Sequence, residues 1–216
     1  MVFLGKDLIF PPVSSADADG ILAIGGDLHP DRLMLAYRNG IFPWYNEGEP
    51  IIWYSPDPRM VLFPKELRIS KSMRRLMANH PYQLTFNKDF EGVIENCRTL
   101  PRAGQNGTWI TQAMKKAYIR LHHLGHAKSV EVWHKSELVG GLYGIDLGHV
   151  FCGESMFSKL SNTSKLAFNF LVNDLDAKGY QLIDCQVYND HLASLGAREM
   201  PRKEFISILN CNSDYK

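Results

Sequence analysis

The sequence lacks an apolar run long enough to span a membrane, and it lacks a surplus of charge of either sign. Its 216 residues include 24 Lys and Arg against 23 Asp and Glu, and the net charge of +1 excludes a basic coat of the histone type. The amino terminus also lacks the continuous apolar segment of a signal peptide, because Lys6 and Asp7 interrupt it. We therefore expect a cytoplasmic protein without membrane association, whose contacts with any nucleic acid come from a local cationic patch.

Cysteine is scarce too. The four cysteines lie far apart and form no Cys-x-x-Cys pair: Cys97, Cys152, Cys185 and Cys211. We expect buried free thiols in a reducing compartment rather than disulfides or a zinc site.

Glycine motifs are incomplete as well. Gly25-Gly26 lacks the remainder of a phosphate loop, and residues 153–157 lack the second glycine of a nucleophile elbow. The sequence therefore gives no basis for a metal ion or a cofactor.

The amino-acid composition of the chain changes near residue 60. Residues 1–60 are rich in Gly, Pro and Asp, and prolines this frequent prevent long regular elements. A short helix is predicted there from Pro30 to Asn39, ended by Gly40. We predict a small irregular domain over residues 1–60 and a second domain over residues 61–216.

Periodicity in the second domain predicts an α+β fold. Helices are expected over 70–79, 111–125 and 162–178, and strands over 129–134, 138–146, 149–156 and 180–187. Three consecutive strands with short turns indicate an antiparallel meander. A meander, a crossover helix and a returning strand resemble the centre of the N-acetyltransferase-like (GNAT) fold, a mostly antiparallel sheet flanked by helices.

Three polar residues form the candidate catalytic site. Glu154 lies at the end of one predicted strand, and Asp184 and Gln186 lie on the last strand, where alternate residues share a face. Asp184 interrupts an apolar run, and burying its carboxylate is costly unless the group is paired or hydrogen-bonded. This acid therefore serves either catalysis or a structural partner.

Two tryptophans lie in segments rich in Gly, Pro or Thr. Trp44 follows Phe42-Pro43, and Trp109 follows Gly107-Thr108. Indole rings in loops offer flat faces on which nucleic-acid bases stack. The same rings equally suit the packing of a core, and the residues alone leave both interpretations open.

A cationic segment lies just after the predicted domain boundary. Five cations occur within eleven residues that hold the single acid Glu66: Lys65, Arg68, Lys71, Arg74 and Arg75. If Ser70 opens a helix, positions 71, 74 and 75 share one face, and such a face suits phosphates. The alternative is an ordinary solvated helix face. We call these five residues the basic strip.

Six motifs together resemble the bacterial leucyl/phenylalanyl-tRNA–protein transferases, in the same order and at nearly the same spacing. They are Gly-Gly-Asp-Leu at 25–28, Ile-Phe-Pro-Trp at 41–44, Trp-Tyr-Ser-Pro-Asp-Pro-Arg at 53–59, Gly-Thr-Trp-Ile-Thr at 107–111, Phe-Cys-Gly-Glu-Ser-Met-Phe-Ser at 151–158 and Leu-Ile-Asp-Cys-Gln-Val at 182–187. The resemblance covers residues 20 to 205.

The resemblance implies an activity and its partners. The family transfers Leu or Phe, and also Met, from aminoacyl-tRNA to the N-terminal Arg or Lys of a protein, which marks that protein for degradation by the N-end rule pathway. It also implies a small amino-terminal domain ahead of a GNAT-like domain. No cofactor is expected, because the ester donor is already activated, and a monomer is expected.

Residue roles carry over from the same resemblance. It implies that Asp184 and Gln186 form a catalytic pair in which the carboxylate polarises the amide, while Glu154 shares that work or holds the acceptor's cationic side chain. Trp44 and Trp109 would bracket the terminal adenosine. The aminoacyl side chain would lie in an apolar pocket formed by Leu142, Phe151, Phe168, Leu171 and Ile183.

Two other functions are alternatives. An acyltransferase that uses acetyl-CoA needs a glycine-rich loop for the pyrophosphate between the meander and the crossover helix, and residues 158–164 contain no glycine. A tRNA-binding module without catalysis would explain the basic strip but not the interior Asp184 and Gln186.

Overall fold

A computed structural model describes residues 2–100 and 109–211 of the chain. Residues 107 and 108 of the predicted Gly-Thr-Trp-Ile-Thr motif lie outside the described residues. No helix in the described ranges is long and apolar enough to cross a bilayer. No disulfide joins the four cysteines, all of which are described; Cys97 and Cys152 are buried as expected, whereas Cys211 is exposed.

The first part of the chain forms a small sheet of four short strands. In chain order they are β1 (Val2–Leu4), β2 (Ile21–Gly25), β3 (Phe42–Pro43) and β4 (Ile52–Tyr54), and in space the order is β1-β2-β4-β3. Helix α1 (Pro30–Arg38) begins with a proline at its first position and is followed by Gly40 in the left-handed region (φ +71°), as the sequence predicts. The region is therefore more regular than the sequence suggests.

The second sheet has seven strands. They are β5 (Arg59–Leu62), β6 (Gln83–Phe86), β7 (Ala127–His134), β8 (Glu137–Asp146), β9 (Val150–Ser158), β10 (Leu182–Gln186) and β11 (Arg198–Met200), in the spatial order β11-β5-β10-β9-β8-β7-β6. Each neighbouring pair is antiparallel except β9 and β10, which are parallel. The predicted α+β class and the mostly antiparallel sheet are confirmed. The change of sheet falls between Tyr54 and Arg59, slightly before the predicted boundary at residue 60.

Six α-helices accompany this sheet in the described part of the chain. They are α2 (Lys71–Ala78), α3 (Phe90–Thr99), α4 (Gln112–His123), α5 (Thr163–Ala177), α6 (Asp190–Ser194) and α7 (Arg202–Asn210). The predicted order of helix α4, three antiparallel strands, crossover helix α5 and returning strand β10 is confirmed. Ser70 and Thr111 cap α2 and α4, since each side chain accepts a hydrogen bond from a backbone N–H three residues later at 3.1 Å.

The hydrophobic core lies on both faces of the large sheet. Strand β8 is buried along nearly its whole length, which is typical of a central strand covered on both sides. Tyr143 belongs to the cluster that includes α3 and α4, and the adjacent Leu142 belongs to the cluster that includes α5. This alternation places α5 over the face that carries the candidate aminoacyl pocket.

Candidate functional site

A cleft of about 460 Å³ extends along β9 and β10 toward α5 and α6. It is lined by every residue that the sequence analysis assigned to catalysis or to the aminoacyl and adenosine groups: Trp44, Trp109, Leu142, Phe151, Glu154, Phe168, Leu171, Ile183, Asp184 and Gln186. The fold thus gathers segments that lie up to 142 positions apart in the sequence into one concave surface. The role of each residue stays a prediction.

The floor of the cleft is an apolar pocket. Its five side chains are at most 4% exposed: Leu142, Phe151, Phe168, Leu171 and Ile183. Phe151 and Ile183 are register partners on the parallel strands β9 and β10, so their side chains share a face. Gly144 makes room for Phe151, because a Cβ there would lie 2.5 Å from the Phe151 ring. The pocket therefore offers dispersion contacts to an apolar group and few hydrogen bonds.

The two tryptophans line the same cleft. Trp44 follows β3, is 40% exposed and lies 6.2 Å from the Tyr54 ring in a tilted arrangement. Trp109 comes shortly before α4 and is only partly buried, with one side packed on the apolar core. Both rings therefore keep surface available for a ligand, and Trp109 also contributes to the core.

Strand β10 is irregular where it reaches the site. Its register with β5 shifts between Asp184 and Gln186, and Gln186 has φ +66° in the left-handed region. The expectation that positions 184 and 186 share a face assumed a regular strand, and it is wrong here because the shift redirects the second side chain. The Gln186 amide Nε2 donates to Glu154 Oε1 at 2.8 Å.

Asp184 is held by a buried arginine. Arg59 donates from Nε to Oδ1 at 2.8 Å and from Nη2 to Oδ2 at 2.7 Å, and both side chains are 1% exposed. The backbone N–H of Gln186, and not its side-chain amide, donates to Asp184 Oδ1 at 2.9 Å. The carboxylate therefore has a structural partner, and the expected contact between the Asp184 carboxylate and the Gln186 amide is absent among the described side chains.

Glu154 is the second acid of the cleft. Tyr37 of α1 donates to its Oε1 at 2.8 Å and Tyr118 of α4 donates to its Oε2 at 3.0 Å. Burial raises the pKa of Glu154 from its ordinary value of 4.5 to about 8, although the two phenols and the Gln186 amide oppose that rise. A carboxyl poised near neutral pH is suited to proton transfer.

Three polar residues that hold the acids of this site are not predicted from the sequence: Arg59, Tyr118 and Tyr37. Arg59 lies in the 53–59 motif, but nothing in the sequence identifies it as the partner of Asp184. Tyr118 fits the apolar spacing of α4, and Tyr37 lies on the short helix α1, so both look like core residues. A buried tyrosine hydroxyl needs a polar partner, and that requirement is the signal that points to a nearby acid.

The basic strip lies outside the cleft. All five of its side chains are exposed: Lys65, Arg68, Lys71, Arg74 and Arg75. Within the described ranges none of them forms an ion pair. The strip is connected to the site through the Arg68 backbone N–H, which donates at 2.8 Å to Leu195 O, three positions after the cleft residue Leu192.

The order of strands and helices is that of the GNAT-like class, and its cleft places a buried acid over an apolar pocket, an arrangement suited to acyl transfer. Residues 61–210 match the family described as Leucyl/phenylalanyl-tRNA protein transferase, and residues 26–57 match the N-terminal domain of the same family. The chain belongs to this family of aminoacyltransferases.

Relatives that carry this name are similar in sequence to this chain over nearly its full length. The chain is 64% identical to the Leucyl/phenylalanyl-tRNA--protein transferase of Flavobacterium johnsoniae, covering 97% of this chain and 99% of the relative. It is 55% identical to the enzyme of that name from Syntrophus aciditrophicus, covering 95% and 86%. A solved GCN5-related N-acetyltransferase from Kribbella flavida is 10% identical, with a TM-score of 0.39 over 78% of this chain and 60% of that chain.

Proposed function

We propose that the protein transfers Leu or Phe, and also Met, from aminoacyl-tRNA to the α-amino group of an N-terminal Arg or Lys. It acts in the cytoplasm as a monomer without a cofactor, and its products are marked for N-end rule degradation. One observation carries this proposal: a single cleft joins an apolar pocket, two tryptophans and the polar pair of Glu154 and Gln186.

The reaction needs only positioning and one proton transfer. The amine nitrogen attacks the ester carbonyl carbon, the C–N bond forms, and the ester C–O bond breaks with its electron pair left on the ribose oxygen. That oxygen takes up the proton that the amine loses. An α-amine has a reference pKa near 8, so a substantial fraction is neutral at physiological pH. Holding the two reactants together supplies much of the acceleration.

The apolar pocket accounts for the choice of amino acid. Its floor rejects polar side chains, because their hydrogen-bonding groups would be buried without partners. It separates Leu from Met only weakly, since apolar groups of similar size differ little in transfer free energy.

Asp184 acts in this scheme as a positioning residue. Its Oδ1 accepts the Gln186 backbone N–H and so fixes the irregular turn that directs the Gln186 amide to Glu154. Arg59 holds both oxygens of Asp184, which leaves Glu154 as the carboxylate nearest to the reacting groups.

The tryptophans and the basic strip divide the work of binding the tRNA. Trp44 and Trp109 stack on the terminal adenosine, where base-aromatic contacts are worth about 1–3 kcal/mol each. The basic strip contacts phosphates of the acceptor stem, because its cations are exposed and carry no partner acid among the described residues.

A single assay tests the proposal. A peptide that begins with Arg is incubated with the protein and radiolabelled Leu-tRNA, Phe-tRNA or acetyl-CoA. We expect label from both aminoacyl-tRNAs to reach the peptide, and none from acetyl-CoA. Label from acetyl-CoA alone would establish the acetyltransferase alternative, and tRNA binding without any transfer would establish the binding module. Peptides that begin with Lys or Ala test the acceptor preference.

A further inference from the structure

Two buried tyrosines form a closed hydrogen-bonded cluster with Glu154. The hydroxyls of Tyr37 and Tyr118 contact each other as well as the two carboxylate oxygens. Tyr37 is 1% exposed and Tyr118 is 0% exposed. Bulk water therefore does not replace either phenol as a partner of the acid.

Counting protons shows that this cluster satisfies both charge states of the acid. When Glu154 is ionised, each phenol donates its one proton to a different carboxylate oxygen. When Oε1 carries a proton, that O–H donates to Tyr37, Tyr37 donates to Tyr118, and Tyr118 still donates to Oε2. The Gln186 amide keeps its bond to Oε1 in both states. The exchange turns hydroxyl hydrogens and moves no heavy atom.

We propose that Tyr37 and Tyr118 are positioning residues that make Glu154 the proton carrier of the transfer reaction. The inference rests on the proposed function and adds the path of the proton. As the amine nitrogen bonds to the carbonyl carbon, one of its protons passes to the Glu154 carboxylate. As the ester C–O bond breaks, Glu154 returns that proton to the ribose oxygen, and the acid is ionised again.

Among the described residues, Glu154 forms no ion pair that would hold it ionised. The buried cation Arg59 is hydrogen-bonded through Nε and Nη2 to Asp184 and not to Glu154. The negative charge of Asp184 opposes ionisation of Glu154. Burial raises the pKa of the Cys152 thiol well above its ordinary value, so this neighbour stays neutral. The groups that contact the acid or act on it electrostatically are Tyr37, Tyr118, Cys152, Asp184 and Gln186, and Arg59 lies behind Asp184. The other titratable or amide groups that line the cleft are Cys97, Tyr143, Cys185, Asn189 and His191.

Titration of the acid provides the first test. The full chain is labelled with ¹³C at the glutamate carboxyl carbons, and the Glu154→Gln variant identifies the resonance. We expect a titration near pH 8 in the wild type, because burial raises the pKa of Glu154 to about 8. Tyr118→Phe and Tyr37→Phe should each move the midpoint upward by about one pH unit, since a hydrogen bond to an ionised group is stronger than one to a neutral group.

Tyr180→Phe is the matched control. This variant also removes a hydrogen bond that a tyrosine hydroxyl donates to a carboxylate, here to Asp146 Oδ1 at 2.8 Å. Both residues lie outside the cleft. The Glu154 midpoint should not move in this variant. A wild-type midpoint near 4.5, or an unchanged midpoint in Tyr118→Phe, overturns the inference.

The pH dependence of kcat provides the second test, with one donor and one acceptor peptide throughout. A one-unit shift in Tyr118→Phe lowers transfer about tenfold at pH 6.5 and only about threefold at pH 8.5. A merely structural role would lower kcat equally at both pH values. A wild type that transfers no amino acid refutes the proposed function. Wild-type transfer with the same pH profile in Tyr118→Phe refutes only the role of the tyrosines.

Discussion

Arg59 and Asp184 form a buried two-point ion pair across β5 and β10, with nitrogen–oxygen distances of 2.8 and 2.7 Å. The guanidinium also lies 4.8 Å from the ring centroids of both Phe42 and Phe205, so it joins the small sheet and α7 to the strand that carries Gln186. The pair thereby links the position of Gln186 in the cleft to the stability of the fold.

This pair predicts that Asp184→Asn is strongly destabilising. Removing one partner leaves the Arg59 charge buried without a counter-ion, at a cost of about 3–5 kcal/mol in the free energy of unfolding. Urea denaturation measures that loss. A purely catalytic role would instead leave the stability of Asp184→Asn near that of the wild type.

Two further variants control this experiment. Asp174→Asn removes the acid of a surface pair with Lys178, 2.7 Å apart, and should cost less than about 1 kcal/mol. Replacing both members of the buried pair, as Arg59→Met with Asp184→Leu, should recover much of the lost stability, because no unpaired charge remains. Equal losses in Asp174→Asn and Asp184→Asn would contradict the assignment.

Local signals in the sequence predicted much of the fold. Ser70 and Thr111 marked the starts of α2 and α4, and Gly125 and Gly179 marked the ends of α4 and α5. Short strands such as β6 and β11 were not predicted, because three or four residues carry little periodicity and their conformation depends on pairing with a neighbour.

The polar part of the site could be predicted only in part. Glu154, Asp184 and Gln186 stood out as polar residues in or beside apolar runs, but their partners did not. Arg59 lies 125 positions from Asp184, and no local pattern links them. The left-handed conformation of Gln186 was equally hidden, because glutamine has no preference for it.

The apolar pocket predicts which aminoacyl side chains a larger residue at position 142 would exclude. Leu142 is 3% exposed at the floor, and Leu142→Trp should fill space that a phenylalanyl side chain needs. Transfer of Phe, measured as kcat/KM, should fall about tenfold more than transfer of the much smaller Ala. Leu124→Trp, at a site that is 55% exposed and outside the cleft, should leave the ratio unchanged. An equal loss for both donors would place the aminoacyl side chain elsewhere.

The raised pKa of Glu154 predicts that the stability of the protein depends on pH. Its pKa is about 8 in the folded protein and near 4.5 when exposed, so between these values the folded state binds a proton that the unfolded state lacks. Stability from this group is present at low pH and is lost as pH rises through that window, by at most about 1.4 kcal/mol per unit.

The Glu154→Gln variant isolates this contribution. Because the amide never ionises, the free energy of unfolding of the variant minus that of the wild type should increase from pH 5 to pH 8. Chemical denaturation at several pH values measures the difference. A difference between the two proteins that stays constant over this range would show that Glu154 keeps its ordinary pKa.

We expect the basic strip to hold the body of the tRNA. A net charge of +1 provides no general attraction for a polyanion, so a local face must supply it. Contacts from such a face go to phosphates, and they are therefore insensitive to tRNA sequence and sensitive to salt. Changing Lys71, Arg74 and Arg75 to Ala should weaken binding of every charged tRNA similarly.

The salt dependence of binding distinguishes this role from a solvated helix face. The triple variant should flatten the slope of log affinity against log salt by roughly two to three units, if each cation neutralises about one phosphate. Lys6, Lys135 and Lys203 are exposed elsewhere, and changing them to Ala removes the same charge but should leave the slope unaltered. Transfer from a minimal aminoacyl-adenosine donor, which has no stem, should be nearly equal in all three proteins. A wild-type slope in the first triple variant would show that the strip contacts only solvent.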